Sequence, residues 1–241
     1  MQVLTVHNTM QNQATSTLAW LLAIAFGEAG KRVLVVDTDD QQTLGNYMAM
    51  NPNIAKPFRV MTLSKYLENQ TRIDADLILF DTERDVTALK PDLALAAFEA
   101  SDFILVPTIT DEKALANMAS VCHRLETTFR LEEVFDKSNG AVKKGELKKA
   151  LLKPIPNPRK RFATLFTRVD PNRSGNELAD IKRNARLYGC NPLTTHLSEN
   201  SSVREVFNKG SLPKIEQAVQ PMIEAEAIAK EVSRHLHELA S

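Results

Sequence analysis

Short apolar runs alternate with longer amphipathic stretches along most of the chain. Residues 2–7 alternate in polarity and are rich in Val and Leu, as expected of a strand. Further apolar runs follow in the segments KRVLVVD, DLILFD, DFILVPT and RFATLFTRVD, and a shorter one lies in NPLTTHL. Apolar strands that alternate with amphipathic helices are typical of a parallel sheet covered on both faces. The sequence therefore predicts a doubly wound α/β fold with a mostly parallel sheet.

The first predicted helix follows the first strand closely. Thr15, Ser16 and Thr17 offer N-cap side chains before an apolar stretch that runs to Ala29. The pattern predicts further helices over 91–100, 112–125, 175–188, 202–209 and 215–239, the last interrupted near Pro221. No internal repeat or low-complexity tract divides these elements, so we expect one α/β domain over residues 1–241.

Composition and charge exclude few functional classes. Apolar residues make up 43% of the chain and charged residues 25%, which is ordinary for a soluble globular protein. Lys plus Arg equals Asp plus Glu at 30 each, so the overall charge predicts neither a nucleic-acid nor a membrane partner. Cys122 and Cys190 match no metal or redox spacing, and we expect two reduced thiols in the cytoplasm. The N-terminus MQVLTVHN lacks the basic region, apolar core and cleavage site of a signal peptide, so we expect none. The apolar run 18–26 is about half of the ~20 residues that cross a bilayer, and we expect no membrane partner.

Three carboxylates follow the predicted ends of two strands. Asp37 and Asp39 come after the second strand, and Asp81 comes after the third. Ligands of open α/β sheets bind beyond the carboxyl ends of the strands. Carboxylates there, with a hydroxyl such as that of Ser16 at the start of the first helix, are typical of a phosphate-bound Mg²⁺ site. The alternative is that these aspartates cap the next helix, but the set of three favours the metal site.

These blocks resemble the ParA/MinD family of deviant Walker A ATPases, which position plasmids, chromosomes and division proteins. GKRVLVVDTDDQ, DADLILFDTERD and SDFILVPTITDEKAL are similar to consecutive strand-and-loop blocks of the family. The region from ATLFTRVDPNRSG to REVFNKGSL is similar to its late region. The resemblance covers nearly the whole chain and implies a P-loop NTPase-like fold.

The resemblance also implies roles for particular residues. Asp39 would orient the attacking water, while Asp37 would assist Mg²⁺ and Asp81 would hold the metal through water, together with Ser16. The strand end TRVDP lies where the family contacts the adenine base. The resulting candidates for nucleotide binding are Asn8, Thr15, Ser16, Thr17, Thr167, Arg168 and Asp170.

The phosphate loop itself departs from the family pattern N-x-K-G-G-x-G-K-[ST]-[ST]. Met10 stands at the signature lysine, Thr15 stands at the phosphate-binding lysine, and the glycine positions carry Gln11, Asn12 and Ala14. Each lost charge-assisted contact costs ~1.5–3 kcal/mol, so two losses weaken phosphate binding by several orders of magnitude. We therefore expect weak or absent binding of ATP and Mg²⁺, as in a pseudo-ATPase. The retained aspartates favour the opposite interpretation, in which Lys or Arg from elsewhere still completes the site.

The segment 137–161 is the one strongly charged stretch. It holds nine Lys and Arg, three prolines and a single acid, Glu146, which is typical of an exposed insertion. A solvated loop is one interpretation, and the other is non-specific DNA binding through phosphate neutralisation. The DNA-binding candidates are Lys143, Lys144, Lys148, Lys149, Lys153, Arg159, Lys160 and Arg161.

The sequence thus predicts a ParA-like segregation or positioning factor that binds DNA without sequence preference. By the resemblance it would act as a homodimer or a DNA-bound oligomer, with a ParB-like or other adaptor protein as partner, in association with the nucleoid or a plasmid. Two alternatives remain. One is an active Mg-ATP-dependent ATPase with a rearranged loop, and the other is a protein adaptor in a conjugation or secretion complex that binds neither ATP nor DNA.

Overall fold

The structure, a computed structural model, describes residues 1–7, 14–38, 44–46, 57–82, 100–137, 161–200 and 219–240. Its strands are β1 (Gln2–Val6), β2 (Val33–Asp37), β3 (Phe58–Thr62), β4 (Leu77–Asp81), β5 (Phe103–Thr108), β6 (Phe162–Val169) and β7 (Pro192–Ser198). Its helices are α1 (Thr15–Glu28), α2 (Leu63–Asn69), α3 (Glu112–Lys137), α4 (Gly175–Leu187) and α5 (Val219–Ala240), with a 3₁₀ turn at Gln70–Arg72. The predicted helix at 202–209, and all but the last residue of that at 91–100, lie outside these ranges.

The seven strands form one sheet in the order β3-β2-β4-β1-β5-β6-β7, and every pair is parallel. β1 lies at the centre, and the chain first builds the β2 side of the sheet before it crosses to β5. Side chains of successive strand residues point to opposite faces, so each strand feeds two apolar layers. The predicted doubly wound parallel sheet is confirmed.

Helices cover both faces of this sheet. On one face α1 and α5 pack on alternate strand residues such as Leu79 and Leu105, in one continuous buried cluster. On the other face α3 and α4 pack on residues such as Ile104, while α2 packs on the β2 and β4 side through Tyr66, whose ring meets Phe80 edge-on at 5.2 Å between centroids. The burial of both faces explains why the strands read as apolar runs.

The sequence interpretation missed β3 and α2. β3 has the sequence FRVMT, and only Phe58 of its five residues is buried because the strand lies at the sheet edge. The segment 58–62 forms a strand because it pairs with β2, where Phe58 to Thr62 align with Val33 to Asp37. Its local sequence pattern does not indicate a strand. A half-exposed edge strand carries too weak an apolar signal to be identified from sequence alone.

Two proline-based boundaries are also corrected. β5 continues through Pro107 to Thr108. The pairing of β5 with β1 ends at Leu105, so no β1 residue is paired with Pro107. The missing N–H of Pro107 therefore removes no hydrogen bond to β1. The predicted interruption of the last helix near Pro221 does not occur. Pro221 is the third residue of α5, within the first turn, where backbone N–H groups have no intrahelical acceptor.

The end of α3 also differs from the prediction. The helix runs to Lys137, twelve residues beyond the predicted end at Leu125.

Candidate functional site

Asp37 and Asp81 occupy matching positions at the carboxyl ends of neighbouring strands. They are paired in the β2–β4 register, and Val6 of β1 lies beside Asp81. Both are almost fully buried, with 2% and 1% exposure. The alternation along β2 and β4 turns both side chains toward the face covered by α1. The structure therefore brings together two of the three predicted strand-end carboxylates.

The carboxylate of Asp37 also holds the chain that follows β2. Its Oδ2 accepts hydrogen bonds from the backbone N–H groups of Leu44 and Gly45, both at 3.0 Å, at the start of the helical residues 44–46. This is the capping role that the sequence left open as an alternative. The role does not exclude a metal, because a carboxylate has two oxygens and several acceptor positions.

The main chain joins the ends of β2 and β4 as well. The carbonyl oxygen of Asp81 accepts hydrogen bonds from the backbone N–H of Thr38 at 3.1 Å and from its hydroxyl at 3.0 Å. Thr38 is the residue directly after Asp37, so both carboxylates are attached to a backbone that is fixed on two strands. Such anchoring positions the two groups without help from a bound ion.

The first turn of α1 faces the same edge of the sheet. Ala14 precedes the helix in a left-handed conformation with φ 60°, and its side chain provides no cap. Thr15, Ser16 and Thr17 follow as the first three helical residues, each half-buried. The first N–H groups of a helix attract anions. The structure thus places the three predicted hydroxyl residues at the start of α1, as the sequence indicates.

A small cavity of about 40 Å³ lies against this turn. Ala14 and Thr17 line it together with Arg168 of β6 and residues 197–200 at the end of β7. Arg168 has φ 52°, a left-handed conformation, and the β6–β7 register shifts between Phe166 and Val169. The irregularity places Arg168 in the wall of the cavity. This volume is room for a few water molecules and falls below the ~300 Å³ of typical ligand pockets.

The other two residues proposed to contact the adenine base lie elsewhere. Thr167 is fully buried, and its hydroxyl donates to the carbonyl oxygen of Thr108 at 3.3 Å. Asp170 is exposed, and its Oδ1 accepts from the backbone N–H of Asn172 at 2.8 Å, which shapes the turn before α4. Of the three candidates, only Arg168 lines the cavity beside α1.

His7, directly after β1, and Thr82, directly after β4, form a buried pair that the sequence pattern does not single out. His7 Nδ1 lies 2.8 Å from the Thr82 hydroxyl, which itself donates to the carbonyl oxygen of Val6 at 3.0 Å. Because the hydroxyl proton is used there, His7 carries its proton on Nδ1 and donates to Thr82. Burial, together with the positive charge of Arg124, lowers the pKa of His7 to about 4, so the ring is neutral at pH 7.

The donor set suits Mg²⁺ better than it suits phosphate. Asp37, Asp81 and the hydroxyl of Ser16 are hard oxygen ligands of the type that Mg²⁺ prefers. No group of three His, Cys, Asp or Glu within the described ranges is arranged as a metal site, and Asp39 lies outside those ranges. The loop 8–17 contains no Lys or Arg, and Arg168 is the cation that lines the adjoining cavity. The residues present therefore fit the metal half of a nucleotide site, but they do not fit its phosphate half.

Most of the predicted DNA-binding residues, and Asn8, fall outside the described part of the chain. The DNA-binding candidates concerned are Lys143, Lys144, Lys148, Lys149, Lys153, Arg159 and Lys160. Arg161 is described, and it lies just before β6, at the end of the sheet opposite to Arg168. Its guanidinium donates to the carbonyl oxygen of Ser101 at 2.8 Å, and its own carbonyl accepts from the N–H of Ile104 at 2.8 Å. Arg161 thus has a structural contact in addition to any contact with DNA.

The model of the CobQ/CobB/MinD/ParA nucleotide-binding domain family matches residues 5–213 of the chain. The chain therefore belongs to this family. A comparison with curated proteins gives no match.

Solved structures of the family share the fold. The MinD cell division protein of Aquifex aeolicus is 12% identical with a TM-score of 0.63, and the alignment covers 99% of this chain and 97% of that one. MinD from Pyrococcus horikoshii, complexed with Mg-ADP, is 13% identical with a TM-score of 0.57 over 96% and 97%. The ParA protein of pnob8 is 16% identical with a TM-score of 0.53 over 98% and 99%. At these identities the likeness establishes the architecture alone.

Eight of the fourteen residues of α1 are buried and apolar. None of the helices in the described ranges combines the length and the apolar character needed to cross a bilayer. The apolar residues of α1, among them Leu18, Leu21 and Leu22, are instead buried against the sheet and α5.

Proposed function

We propose that this protein is a ParA-like segregation or positioning factor that binds DNA without sequence preference and has weak or lost ATP binding and hydrolysis. The observation that carries this proposal is a mismatch within one site. The Asp37–Asp81 pair stands in the register expected of a nucleotide-binding sheet, whereas the loop before α1 lacks both family lysines. Phosphoryl transfer depends mainly on positive charge around the γ-phosphate, so this loop supplies too little of it.

Calorimetric titration of Mg-ATP into the full chain tests the nucleotide half of the proposal. We expect very weak or undetectable binding by the natural sequence. Thr15→Lys restores one charge-assisted contact of ~1.5–3 kcal/mol and is expected to tighten binding by about 10- to 100-fold. Thr17→Lys, two residues further along the same turn, is the matched control and is expected to give no such gain. Micromolar binding by the natural sequence would contradict the proposal.

The DNA half rests on the charge of the segment 137–161. When Lys or Arg side chains neutralise DNA phosphates, the logarithm of the binding constant falls linearly with the logarithm of the salt concentration. The slope is about −0.9 for each phosphate contacted. We expect a salt-sensitive gel shift that is independent of DNA sequence. A variant with glutamine at Lys143, Lys144, Lys148 and Lys149 should bind more weakly and with a shallower slope.

A matched control carries the same number of changes on other surfaces. Lys65 on α2, Lys113 on α3 and Arg183 and Arg186 on α4 are exposed, and their combined change to glutamine should leave the shift intact. If both quadruple variants weaken DNA binding equally, the loss reflects the net charge of the protein and not a contact made by the segment 137–161. Absence of any shift at low salt would remove the DNA-binding function and favour the protein-adaptor alternative.

Arg168 favours a second candidate function, an active ATPase with a rearranged loop. Its place in the cavity beside Thr17 puts a cation near the turn that lacks lysine. The test is release of phosphate from ATP in the presence of Mg²⁺, with Asp39→Ala as the comparison. Turnover that this substitution abolishes would establish the ATPase, whereas turnover that survives it would indicate a contaminating enzyme.

The proposal includes a homodimer or DNA-bound oligomer, partnered by a ParB-like or other adaptor and associated with the nucleoid or a plasmid. Membership of the CobQ/CobB/MinD/ParA family supports this assembly. Light scattering with and without DNA tests it. A chain that remains monomeric in both conditions would contradict it.

A further inference from the structure

A second and larger cavity, of about 480 Å³, lies between α1 and α5 on the α1-covered side of the sheet. The two helices run in the same direction, because Thr17 of α1 and Pro221 of α5 line the small cavity at their starts. Ala29 and Arg234 line the large cavity toward their ends. We call this space the α1–α5 groove. It lies at the other end of α1 from the candidate nucleotide site.

Small side chains create the space. Ala25 of α1, Ala29 directly after α1 and Ala229 of α5 line the groove, and so does the buried ring of Phe26. Larger residues at these positions would close the gap between the helices. The volume lies within the roughly 300–1,000 Å³ of known ligand sites. Apolar atoms make up most of the lining surface, although five of the ten lining residues are ionisable.

Cations line the groove toward the ends of both helices. Lys230 and Arg234 are four residues apart and therefore share one side of α5, while Lys31 follows the end of α1. Neither Lys230 nor Arg234 makes an ion pair within the part of the chain that the structure describes. Glu226 lines the groove one turn before Lys230, toward the start of α5, and Glu28 lines it on α1. The groove therefore has an apolar lining and a positive side near Lys230 and Arg234.

The ammonium group of Lys31 already contacts other residues of the protein. Its Nζ lies 5.2 Å from the centre of the Phe26 ring and donates to Gln2 Oε1 at 3.0 Å. Burial lowers the pKa of Lys31, an effect that the charge of Asp76 partly opposes. The exposed side chains of Lys230 and Arg234 are consequently the two cations available to a ligand in the groove.

We propose that the α1–α5 groove binds an organic anion with an apolar body, specifically a medium-chain monocarboxylate. The alkyl chain lies against Phe26 and the alanines. The carboxylate accepts hydrogen bonds from the forked guanidinium of Arg234 and from Lys230, because Arg donates two parallel bonds to a carboxylate. The proposal is independent of nucleotide or DNA binding.

Calorimetric titration of sodium decanoate, kept below its micelle concentration, into the full chain tests this site. We expect saturable binding of one equivalent. Each further methylene should tighten binding about threefold to fourfold from octanoate to decanoate, as burial of apolar surface requires. Decanol, which has the same chain without the charge, should bind at least tenfold more weakly. Failure of decanoate to saturate, or equal binding of decanol, would overturn the proposal.

Two variants locate the binding. The double change Lys230→Gln and Arg234→Gln alters exposed side chains and should weaken decanoate binding at least tenfold with unchanged circular dichroism. Ser233→Leu should fill the groove and reduce the affinity for both decanoate and decanol. Lys65→Gln, on α2 at the opposite face, is the matched control and should bind as the natural sequence does. Undiminished binding by the double variant would place decanoate elsewhere and contradict the proposal.

Discussion

Glu231 on α5 accepts three hydrogen bonds from Thr195 and its neighbour on the strand β7. Its Oε2 lies 2.9 Å from the N–H of Thr195 and 2.7 Å from the Thr195 hydroxyl, and its Oε1 lies 2.8 Å from the N–H of Thr194. Lys182 of α4 donates to the carbonyl oxygens of the same two residues at 2.6 and 3.2 Å. Side chains from two helices thus satisfy backbone groups of β7, which is the last strand of the sheet among the residues that the structure describes.

Replacement of this carboxylate should destabilise the fold. Glu231→Gln keeps the shape of the side chain but removes the charge and replaces one acceptor oxygen by a donor, so at least one backbone N–H loses its partner. A lost charge-assisted hydrogen bond costs ~1.5–3 kcal/mol, and we expect a decrease of this size in the free energy of unfolding by urea. Glu226→Gln, on the exposed side of the same helix, should change it by less than ~0.5 kcal/mol. Equal effects would contradict the role assigned to Glu231.

The same contact predicts a dependence on acid. Burial opposes the ionisation of Glu231, but the hydrogen bonds from Thr194 and Thr195 outweigh it, and the pKa of Glu231 is lowered. A group with a lowered folded pKa stabilises the protein above its unfolded pKa, and this contribution is lost as the pH falls through the folded pKa. The natural protein should therefore lose its stability advantage over Glu231→Gln below about pH 4.5, the ordinary pKa of a glutamate. An advantage that is constant from pH 7 to pH 3 would contradict this prediction.

His7 should make the fold sensitive to acid in a higher range. The fall of its pKa from 6.5 to about 4 means that only the unfolded chain binds a proton between these values. At ~1.36 kcal/mol per pKa unit, the free energy of unfolding should fall by about 3 kcal/mol between pH 6.5 and 4. His7→Asn, which can still donate to Thr82, should lack this part of the fall in urea titrations across that range. His237→Asn, on the exposed side of α5, should retain it, and the same fall in both variants would contradict the assignment.

Gly27 should tolerate no side chain although it lies inside a helix. A Cβ built there would lie 2.5 Å from both the Cβ and the carbonyl oxygen of Pro57, which is closer than packed atoms allow. Gly27→Ala should therefore destabilise the fold by ~1–3 kcal/mol, against the gain of about 1 kcal/mol that Ala usually brings to a helix. Gly175→Ala, in the first turn of α4 with open space around it, is the matched control and should be neutral or stabilising. Thermal unfolding of the two variants distinguishes these outcomes.

The central strands could be predicted from sequence because their signal is local. Strands such as β4, whose five residues are all buried, present continuous apolar runs whose lengths match the observed elements. The pairing of Asp37 with Asp81 was also accessible, since strand ends in a parallel sheet meet at one edge. Pro221 was misread because proline interrupts a helix only beyond its first turn, and sequence did not show where α5 begins.

The finer features of the site could not be predicted, because they depend on register. Arg168 lines the small cavity at a place where the β6–β7 pairing shifts between Phe166 and Val169, and no local pattern in the sequence encodes that shift. The capping of residues 44–46 by Asp37 was foreseen only as an alternative, because a capping and a metal-binding aspartate have the same position in sequence. Long-range pairing decides both outcomes.

Arg168 should affect anion binding and stability in separable ways. A left-handed backbone costs a non-glycine residue ~1–2 kcal/mol, so Arg168→Gly should raise the free energy of unfolding by up to ~1 kcal/mol while it removes the cation from the cavity beside Thr17. Arg168→Gln keeps the strained backbone and should leave stability unchanged.

Both variants should weaken residual binding of Mg-ATP or inorganic pyrophosphate by about tenfold, measured by calorimetry, since one charge-assisted contact is lost. Arg173→Gln, in the turn before α4, is the matched control and should bind as the natural sequence does. If Arg168→Gln and Arg173→Gln bind pyrophosphate equally, Arg168 is not the cation of the site.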